Sequence, residues 1–510
     1  MDYFIKRKIL TVFAGIIVFY LIYIGIIQGL SFKINGDFYT ILSTISACKN
    51  HLSGNFDASL FPDALVYSPH TNILSWTIAL LSNIFGFETF KAFYAIGPAC
   101  LILFVFSFDF FLSKLDMSSP KRALVIITSF LLVPTVSSIN YIGDGIFTFS
   151  DIFVTAMSWR ILGFALFFIC AGIILELEQR LSSKKVIALL VTSFLLCNIY
   201  LVNFVILLAL IAPYCIYQKL SRKPVRNILI ALILTSLGGL ANLLFWPYYN
   251  AFSLLTDSYQ NFQTSLMVQN PEDYDKNSLI YYVYTLSFSL IALALLHKEK
   301  NSFVRISTIF CFLIVLLSLA VPSFNIPYFW RFAIFLKIFL IIIFFKNFKI
   351  KINSYAIIVI ATLALSLSVV FTAKTLARIE KRQDDQGKLY QDLKKLDLDD
   401  GLILSDERTS NVIQGVDGYR VYGIPSGHIA SREIAQNNEG RAQNLAETLK
   451  SHDYKKINKF LIANSISYII LNQEAEFTET FKLLKSNDLS FYPKLSQESE
   501  LTVLKVNPLK

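Results

Sequence analysis

Long apolar runs, most of them close to twenty residues, recur along this chain and constrain its fold more than any other feature. A helix needs about 20 mostly apolar residues to cross a bilayer. The chain has 510 residues, of which 55% are hydrophobic and 16% charged, with a mean hydropathy of +0.55. An ordinary globular protein carries about 25% charged residues. The sequence therefore predicts a polytopic α-helical membrane protein.

Eleven spans can be placed on the sequence. The stretch 186–217 is too long for one span and has Asn198 and Tyr200 near its middle, so it predicts two short helices. The first run resembles a signal peptide, but it is too long and lacks a small-residue cleavage motif, so we interpret it as an uncleaved span. The runs that fit one span each are 9–29, 92–113, 122–139, 160–178, 226–246, 279–297, 303–321, 332–346 and 354–373.

Basic residues decide the topology, because cytoplasmic loops carry an excess of Lys and Arg. The basic clusters are 6–8, 114–122, 180–185, 219–226, 298–305 and 346–351. All of them fall on one side if residues 71–87 form an interfacial helix and not a span. We therefore predict about 11 spans with a cytoplasmic N-terminus and an extracytoplasmic C-terminus. The net charge of +10 follows from this topology, so nucleic acid is not expected as a partner.

The chain divides into three parts by composition. Residues 1–373 form a predicted transmembrane domain, which includes a long first external loop at 30–91. Residues 374–398 read as a helical linker. Short strand-like runs then alternate with helical ones over 399–510, which predicts a small extracytoplasmic α/β domain. The six Cys residues form no CxxC or Cys/His cluster, so neither a disulfide framework nor a zinc site is predicted.

An acidic residue directly after the first span, Asp37 in the sequence INGDFYT, is the first candidate for chemistry. Enzymes outside the membrane commonly use substrates tethered to lipid, because no nucleotide pool exists there. Transfer of a sugar from a lipid phosphate needs a carboxylate that deprotonates the acceptor and cations that balance the leaving phosphate. Asp37 could supply the carboxylate, and Gly36 lets the backbone turn there. It could equally be the N-cap of an amphipathic surface helix.

Three cations are candidates for binding the phosphate. Arg160 and Arg331 each begin a predicted span at the outer face, against the positive-inside trend. Phosphate binding would explain both, and so would an anchoring role beside Trp159 or Trp330. Lys337 lies about 9 Å deeper than Arg331 at 1.5 Å per residue, where facing lipid would be costly, so a polar cavity is expected around it.

Two further residues have weaker claims. Asp144 lies in the sequence YIGDGIFTFSD between two spans, where Asp-Gly ordinarily forms a turn. His428 lies in a stretch rich in Gly, Ser, Asn and Arg that is too polar for a core. It could act on a substrate or be an ordinary loop histidine, since one His without a partner is weak evidence.

The whole pattern resembles the GT-C class of integral membrane glycosyltransferases, which use polyprenyl-phosphate-linked sugars. The matching features are INGDFYT after the first span, the stretch YSPHTNILSWTIALLSNIFGFETFKAF in the first external loop, and the tail that begins GLILSDERTSNVI and contains PSGHIAS and NNEGR. The resemblance covers nearly the full chain, although its motifs are loose. No strong metal motif supports the resemblance, so no metal ligand is assigned.

The resemblance implies Asp37 as the general base, Arg331 and Arg160 as binders of the lipid phosphate, and Tyr67 and His70 as neighbours of the sugar. The implied partners are a polyprenyl-phosphate-linked hexose or pentose, a glycan, lipid or protein acceptor, and membrane lipid. No cofactor is firmly predicted, and a divalent metal stays open. The implied location is a bacterial or archaeal plasma membrane.

Other functions share some of these features. An outer-face polymerase or ligase of lipid-linked polysaccharide would have a similar basic pocket, and a non-catalytic assembly or sensor subunit would fit a degenerate active site. A secondary transporter fits less well, because its spans would carry more ionisable groups than Lys337, Asp109 and Glu176, and no duplicated halves are evident.

Overall fold

A computed structural model of the protein describes these residues: 36–52, 72–131, 158–245, 294, 296–320, 329–347, 388–396, 398–399, 401–416, 419–422, 432–473, 478–487, 489–490, 492–498 and 500–506. They form two compact units, each described here by itself. The membrane unit takes in the described residues between 94 and 347. The α/β unit takes in residues 36–93 and the described residues from 388 onward.

The secondary structure is mostly helical. The helices are α1 (Gly36–Leu52), α2 (Ile73–Phe85), α3 (Thr89–Ser113), α4 (Ser119–Leu131), α5 (Ser158–Gln179), α6 (Ser183–Ile199), α7 (Leu201–Leu220), α8 (Arg226–Phe245), α9 (Ser302–Ala320), α10 (Phe329–Asn347), α11 (Glu407–Ile413), α12 (Arg432–Lys450), α13 (Tyr454–Ala463) and α14 (Glu479–Ser486). The strands are β1 (Leu402–Leu404), β2 (Arg420–Val421), β3 (Ile466–Asn472), β4 (Lys494–Glu498) and β5 (Leu501–Lys505).

Four of the described helices, α3, α5, α7 and α8, are long and apolar enough to cross a membrane. Helix α8 shows how such a helix meets lipid. It exposes a stripe of large apolar side chains at helical spacing, which water would not tolerate but lipid would. The stripe consists of Leu229, Ile233, Leu237, Leu240 and Leu244. The protein is therefore an integral membrane protein.

Phenylalanine side chains fill the centre of the membrane unit. The rings of Phe108 in α3 and Phe168 in α5 stack with centroids 4.4 Å apart. Phe167 of α5 lies at the same distance from Phe335 of α10. Phe339, one turn beyond Phe335, contacts Phe303 of α9 at 6.4 Å. Large rings spaced three or four residues apart thus join four helices in one apolar core.

Ion pairs gather at one end of the membrane unit, called here the basic end. Lys114 and Lys185 both pair with Glu176, which links the α3–α4 and α5–α6 connections. The Lys121 ammonium donates to the carbonyl oxygen of Lys346 at 2.8 Å. Lys346 in turn pairs with Glu299 at 2.7 Å. These contacts bring the described basic clusters of successive loops to the same end of the unit.

The α6–α7 connection lies at the opposite end. Helix α6 begins beside Lys185 at the basic end and ends at Ile199, and α7 begins at Leu201 and runs back. A single residue, Tyr200, separates the two helices, with non-helical φ and ψ values of −151° and 80°. The prediction of two short helices across 186–217 is confirmed.

In the α/β unit, helices α1 and α2 pack against each other. Helix α2 begins at the N-cap Asn72, whose side chain accepts a hydrogen bond from the Ser75 amide at 3.1 Å. It ends at Gly86, where φ of +64° requires the conformational freedom of glycine. With 13 residues, α2 is about 20 Å long, shorter than the hydrocarbon core of a bilayer. That length agrees with the interfacial helix predicted at 71–87.

The C-terminal part of the α/β unit is a five-stranded mixed sheet with strand order β2-β1-β3-β5-β4. Strand β1 pairs in parallel with β2 and β3, whereas β5 runs antiparallel to β3 and β4. Helices α12, α13 and α14 bury apolar residues against the sheet, among them Leu449, Leu461 and Leu484. The predicted alternation of strands and helices is thus observed, and β4 and α11 were not predicted.

Several sequence predictions lie outside the described residues. These are the spans at 9–29 and 354–373, most of the span at 279–297, and the domain boundary at 373. The span count of about 11, the orientation of the termini and the three-part division therefore stay predictions. The structure also groups residues 36–93 with the C-terminal sheet.

Candidate functional site

Arg160 and Arg331 lie at the same end of the membrane unit. Each falls in the first turn of its helix, α5 or α10. Four residues further along, Phe164 and Phe335 contact each other with ring centroids 5.4 Å apart. The far ends of both helices reach the basic end, through Glu176 in α5 and Lys346 in α10. The two helices therefore run in the same direction, and both arginines begin them opposite the basic end.

The cationic residues differ in depth. Arg160 is half-buried, and so is Lys337, which follows Arg331 by six residues in α10. Six residues correspond to about 9 Å along a helix, so Lys337 lies well inside the unit. Its partial burial shows that much of this side chain is covered by protein. The predicted depth difference between Arg331 and Lys337 is thus observed along the helix.

Asp37 is the second residue of α1, inside its first turn and not at the flanking N-cap position. A carboxylate in this turn interacts favourably with the helix dipole. Helix α1 was expected to lie on the surface, and this expectation is wrong. Its middle is buried on all sides, with Ile41, Leu42 and Ile45 at 3% exposure or less. Contacts with α2 and α11 account for the burial.

Polar contacts hold α1 and α2 in register. The Asn83 amide of α2 donates to the carbonyl oxygen of Lys49 at 3.4 Å, and the Lys49 ammonium donates to the carbonyl oxygen of Phe87 at 3.4 Å. The rings of His51 and Trp76 meet edge to face at 5.5 Å. Burial also raises the pKa of the Cys48 thiol to about 12, so this cysteine is a protonated packing residue. The helix that carries Asp37 is thereby fixed at its C-terminal end.

The stretch that contains His428 was expected to be too polar for a core, but at its start Asp406, Thr409 and Ser410 are buried. Asp406 caps α11 by accepting from the Thr409 amide at 2.9 Å, and Asn472 at the end of β3 donates to the Thr409 hydroxyl at 3.1 Å. The Ser405 hydroxyl donates to the carbonyl oxygen of Ile470 at 2.8 Å. Because each polar group has a partner, burial costs little. This network holds α11 on the sheet, and α11 packs on the helix of Asp37.

A second contact joins the start of α3 to the helical segment 388–395. The Lys394 ammonium pairs with Glu88 at 2.7 Å, and the rings of Phe90 and Tyr390 lie 6.2 Å apart. Burial opposes ionisation of Glu88. The hydrogen bonds and charges of Lys394 and Lys91 outweigh this effect, and the pKa of the carboxyl lies below its ordinary value. Glu88 and Phe90 precede the membrane unit in the sequence, and Tyr390 and Lys394 follow it. All four belong to the α/β unit, where they contact each other.

Four predicted site residues lie outside the described part of the chain: Asp144, Tyr67, His70 and His428. Among the others, Asp37 belongs to the α/β unit, and Arg160, Arg331 and Lys337 belong to the membrane unit. The described residues hold no group of three or more His, Cys, Asp and Glu side chains that could bind a metal ion.

Sequence reasoning missed a layer of buried amides beside the α6–α7 turn. The Asn198 amide in α6 donates to the Asn242 side-chain oxygen in α8 at 2.8 Å, and the Asn242 amide donates to the Cys197 sulfur at 3.6 Å. Asn203 in α7 is fully buried. The signal was three asparagines inside apolar runs, each of which costs free energy in a membrane unless it finds a partner.

Comparison with known proteins finds no matching protein family and no matching curated protein. Among solved structures, the chain is similar to the archaeal oligosaccharyltransferase AglB from Archaeoglobus fulgidus in complex with an inhibitory peptide and a dolichol-phosphate. The TM-score is 0.49 at 9% identity, covering 86% of this chain and 66% of that chain.

Two further structures of the Archaeoglobus fulgidus oligosaccharyltransferase are similar. The apo form has a TM-score of 0.49 at 9% identity, covering 92% of this chain and 70% of that one. The form tethered to an acceptor peptide with the NVT sequon has a TM-score of 0.47 at 10% identity, with coverages of 89% and 68%. The chain spans about two thirds of the length of these proteins.

Proposed function

We propose that this protein is a membrane glycosyltransferase that moves a sugar from a polyprenyl-phosphate donor to a glycan, lipid or protein acceptor at the outer face. The observation that carries the proposal is the contact between Phe164 and Phe335, since it supports a common location of Arg160 and Arg331. Two guanidinium groups at one end of a membrane bundle suit the phosphate of a lipid-linked substrate.

Each residue has a role in the proposed reaction. Asp37 takes the proton from the acceptor hydroxyl or amide as the new glycosidic bond forms at the sugar's anomeric carbon. The bond between that carbon and the phosphate oxygen breaks, and the electron pair leaves with the polyprenyl phosphate. Arg160 and Arg331 stabilise the charge on this leaving group, and Lys337 adds to the positive field from deeper in the unit.

The test of Asp37 uses a substitution that keeps the size of the side chain. Asp37→Asn keeps the shape of the side chain and removes only its charge, which in the first turn of a helix is worth about 0.3–1 kcal/mol, so the Tm changes little. It removes the base, and general-base catalysis contributes about 10²–10⁴-fold, so transfer falls by at least about a hundredfold. The assay screens purified protein for transfer from polyprenyl-phosphate hexoses and pentoses. Asp392→Asn, in the same unit, is the matched control and retains transfer. Full activity of Asp37→Asn would exclude Asp37 as the base.

The role of the arginines is tested by removing one positive charge at either end of the membrane unit and comparing the transfer rates. Arg331→Gln removes a cation near the proposed phosphate and lowers transfer by about 10²–10³-fold. Arg305→Gln removes the same charge at the basic end, where the guanidinium donates to the Tyr217 hydroxyl at 3.4 Å, and leaves transfer near the wild-type rate. Equal effects of both substitutions would contradict the proposed phosphate site.

A further inference from the structure

Asn203 is a buried side chain whose amide group makes no hydrogen bond. Its exposure is 0%, and neither its side-chain nitrogen nor its side-chain oxygen has a partner within the described structure. A buried amide without a partner is expensive, and most such groups in native proteins are bonded to protein or to water. The nearby Asn198 and Asn242 obey this rule, because they bond to each other at 2.8 Å. Asn203 therefore has hydrogen-bonding capacity that no described residue uses.

The position of Asn203 is fixed by its neighbours on α7. Tyr214 follows it by eleven residues, which is about three helical turns, so the two residues share one face of the helix. On that face, the Tyr214 hydroxyl donates to Glu178 of α5 at 2.8 Å, and the Tyr214 ring contacts Phe303 of α9 at 5.3 Å. Asn203 consequently lies on the face of α7 that points into the bundle, between α5 and α9.

The same residue lies close to the end of the unit where the arginines begin their helices. Asn203 follows the turn residue Tyr200 by three positions, or about 4.5 Å of rise. Tyr200 packs directly on Gly163 of α5, so closely that a Cβ atom at Gly163 would lie 2.6 Å from the Cβ of Tyr200. Gly163 is one turn deeper than Arg160, and Asn203 is about one turn deeper than Tyr200. The buried amide is thus about two turns, or about 9 Å, deeper than Arg160, inside the membrane unit.

The side-chain nitrogen and oxygen of Asn203 determine which chemical groups can bind to it. The nitrogen needs an acceptor, and the oxygen needs a donor. An ionised phosphate offers acceptors only, so it could satisfy the nitrogen but not the oxygen. A hydroxyl group is both donor and acceptor, and neighbouring hydroxyls on a sugar ring can satisfy both atoms of one amide.

We infer that Asn203 binds hydroxyl groups of the sugar on the lipid-linked donor, about two turns below the level at which Arg160 is proposed to bind the phosphate. This inference rests on the proposed function. It adds a residue that binds the sugar and not the lipid phosphate. Asn203 would contribute to donor affinity, and it takes no part in proton transfer.

The test measures binding of two lipids to the full-length protein in detergent. The probes are a polyprenyl phosphate that carries glucose, mannose or arabinose, and the same polyprenyl phosphate without a sugar. In Asn203→Leu, affinity for the sugar-bearing lipid falls about tenfold, as expected for the loss of one or two hydrogen bonds, and affinity for the bare lipid is unchanged. The Tm without ligand stays equal or rises, because a buried polar group without a partner has been removed.

The matched control is Asn198→Leu, which removes an amide that has a partner in the same layer. It leaves Asn242 buried without that partner, so the Tm falls, but the ratio of the two lipid affinities stays at the wild-type value. An unchanged ratio in Asn203→Leu would overturn the inference and leave an ordered water as the partner of the amide. A lower Tm with equal loss of both lipids would overturn it in favour of a structural role. If wild-type protein itself binds no sugar-bearing lipid better than the bare one, the proposed function fails as well.

Discussion

The two ends of the membrane unit handle polar groups in different ways. At the basic end, charged side chains meet opposite charges: Arg122 pairs with Asp109 at 2.7 Å, and Lys346 pairs with Glu299 at the same distance. All carboxylates of the described membrane unit lie at this end, namely Asp109, Asp116, Glu176, Glu178 and Glu299. The opposite end has amides in their place, together with the two arginines that begin α5 and α10.

This difference separates structure from proposed chemistry. Ion pairs that are complete within the protein fix the loops of a bundle and leave little for a ligand to do. An amide such as Asn203 is buried but lacks a partner in the described structure, so it lowers stability. Its nitrogen and oxygen can still form hydrogen bonds to a ligand. Functional sites commonly carry such costs, because ligand binding repays them.

The largest effect on stability is expected at the basic end, from Glu299→Leu. The Glu299 side chain is fully buried and accepts bonds from Lys346 at 2.7 Å, Asn347 at 3.3 Å and the Asn301 amide at 2.6 Å. Removing the carboxylate strands a mostly buried ammonium and costs about 3–5 kcal/mol. Chemical unfolding of the purified protein in detergent measures this loss.

The control for Glu299 is Asp116→Asn, which neutralises an exposed carboxylate at the same end and changes stability by less than about 0.5 kcal/mol. The fraction of Glu299→Leu protein that stays folded should bind the donor with wild-type affinity, because the basic end has no proposed role in binding. A Glu299 variant that is stable but binds donor poorly would erase the distinction between the two ends.

A smaller effect is expected at the opposite end, from Gly163→Ala. The added methyl would lie 2.6 Å from the Tyr200 Cβ and 2.7 Å from its Cδ1, so the α6–α7 turn has to shift. Such overpacking costs about 1–3 kcal/mol. Because Asn203 follows the turn, the shift also weakens binding of the sugar-bearing lipid. Thermal unfolding and the two-lipid binding comparison report the two effects.

Gly440→Ala is the matched control for this change, since a Cβ at Gly440 in α12 meets nothing within 4 Å. There the substitution raises helix propensity and stabilises the protein by about 0.5–1 kcal/mol. If Gly163→Ala lowers stability but leaves both lipid affinities intact, the turn has no part in holding the donor.

The sequence predicts the secondary-structure elements of this protein better than it predicts which elements pack against each other. Apolar runs near twenty residues indicate the spans, and Asn198 with Tyr200 marks the α6–α7 break, because such local patterns depend only on the residues involved. The burial of α1 could not be read from its own sequence, since it depends on α2 and on α11, which lies more than 350 residues later. The pairing of Asn472 with Thr409 is likewise a consequence of β1 and β3 lying side by side.

Among the candidate site residues, the arginines were found because they break a charge rule, which is visible locally. Asn203 was not found, because an asparagine in an apolar run has two outcomes that the sequence does not distinguish. Asn198 and Asn242 bond to each other, whereas Asn203 does not bond within the described structure. Only the three-dimensional arrangement separates a paired amide from one that is left for a ligand.

Chemical labelling can show which side of the membrane each end of the unit faces, without a change in stability. Ser118 is exposed in the α3–α4 connection at the basic end, and all six native cysteines are buried, so Ser118→Cys introduces one reactive thiol. A membrane-impermeant maleimide should label it only after intact cells are permeabilised, because the positive-inside rule assigns the basic end to the cytoplasm. Wild-type protein should stay unlabelled, because all six cysteines are buried and burial holds the pKa of Cys48 near 12. Labelling of Ser118→Cys in intact cells would show that the basic end faces outward. Arg160 and Arg331 would then lie on the cytoplasmic side, and a donor at the outer face would no longer be expected.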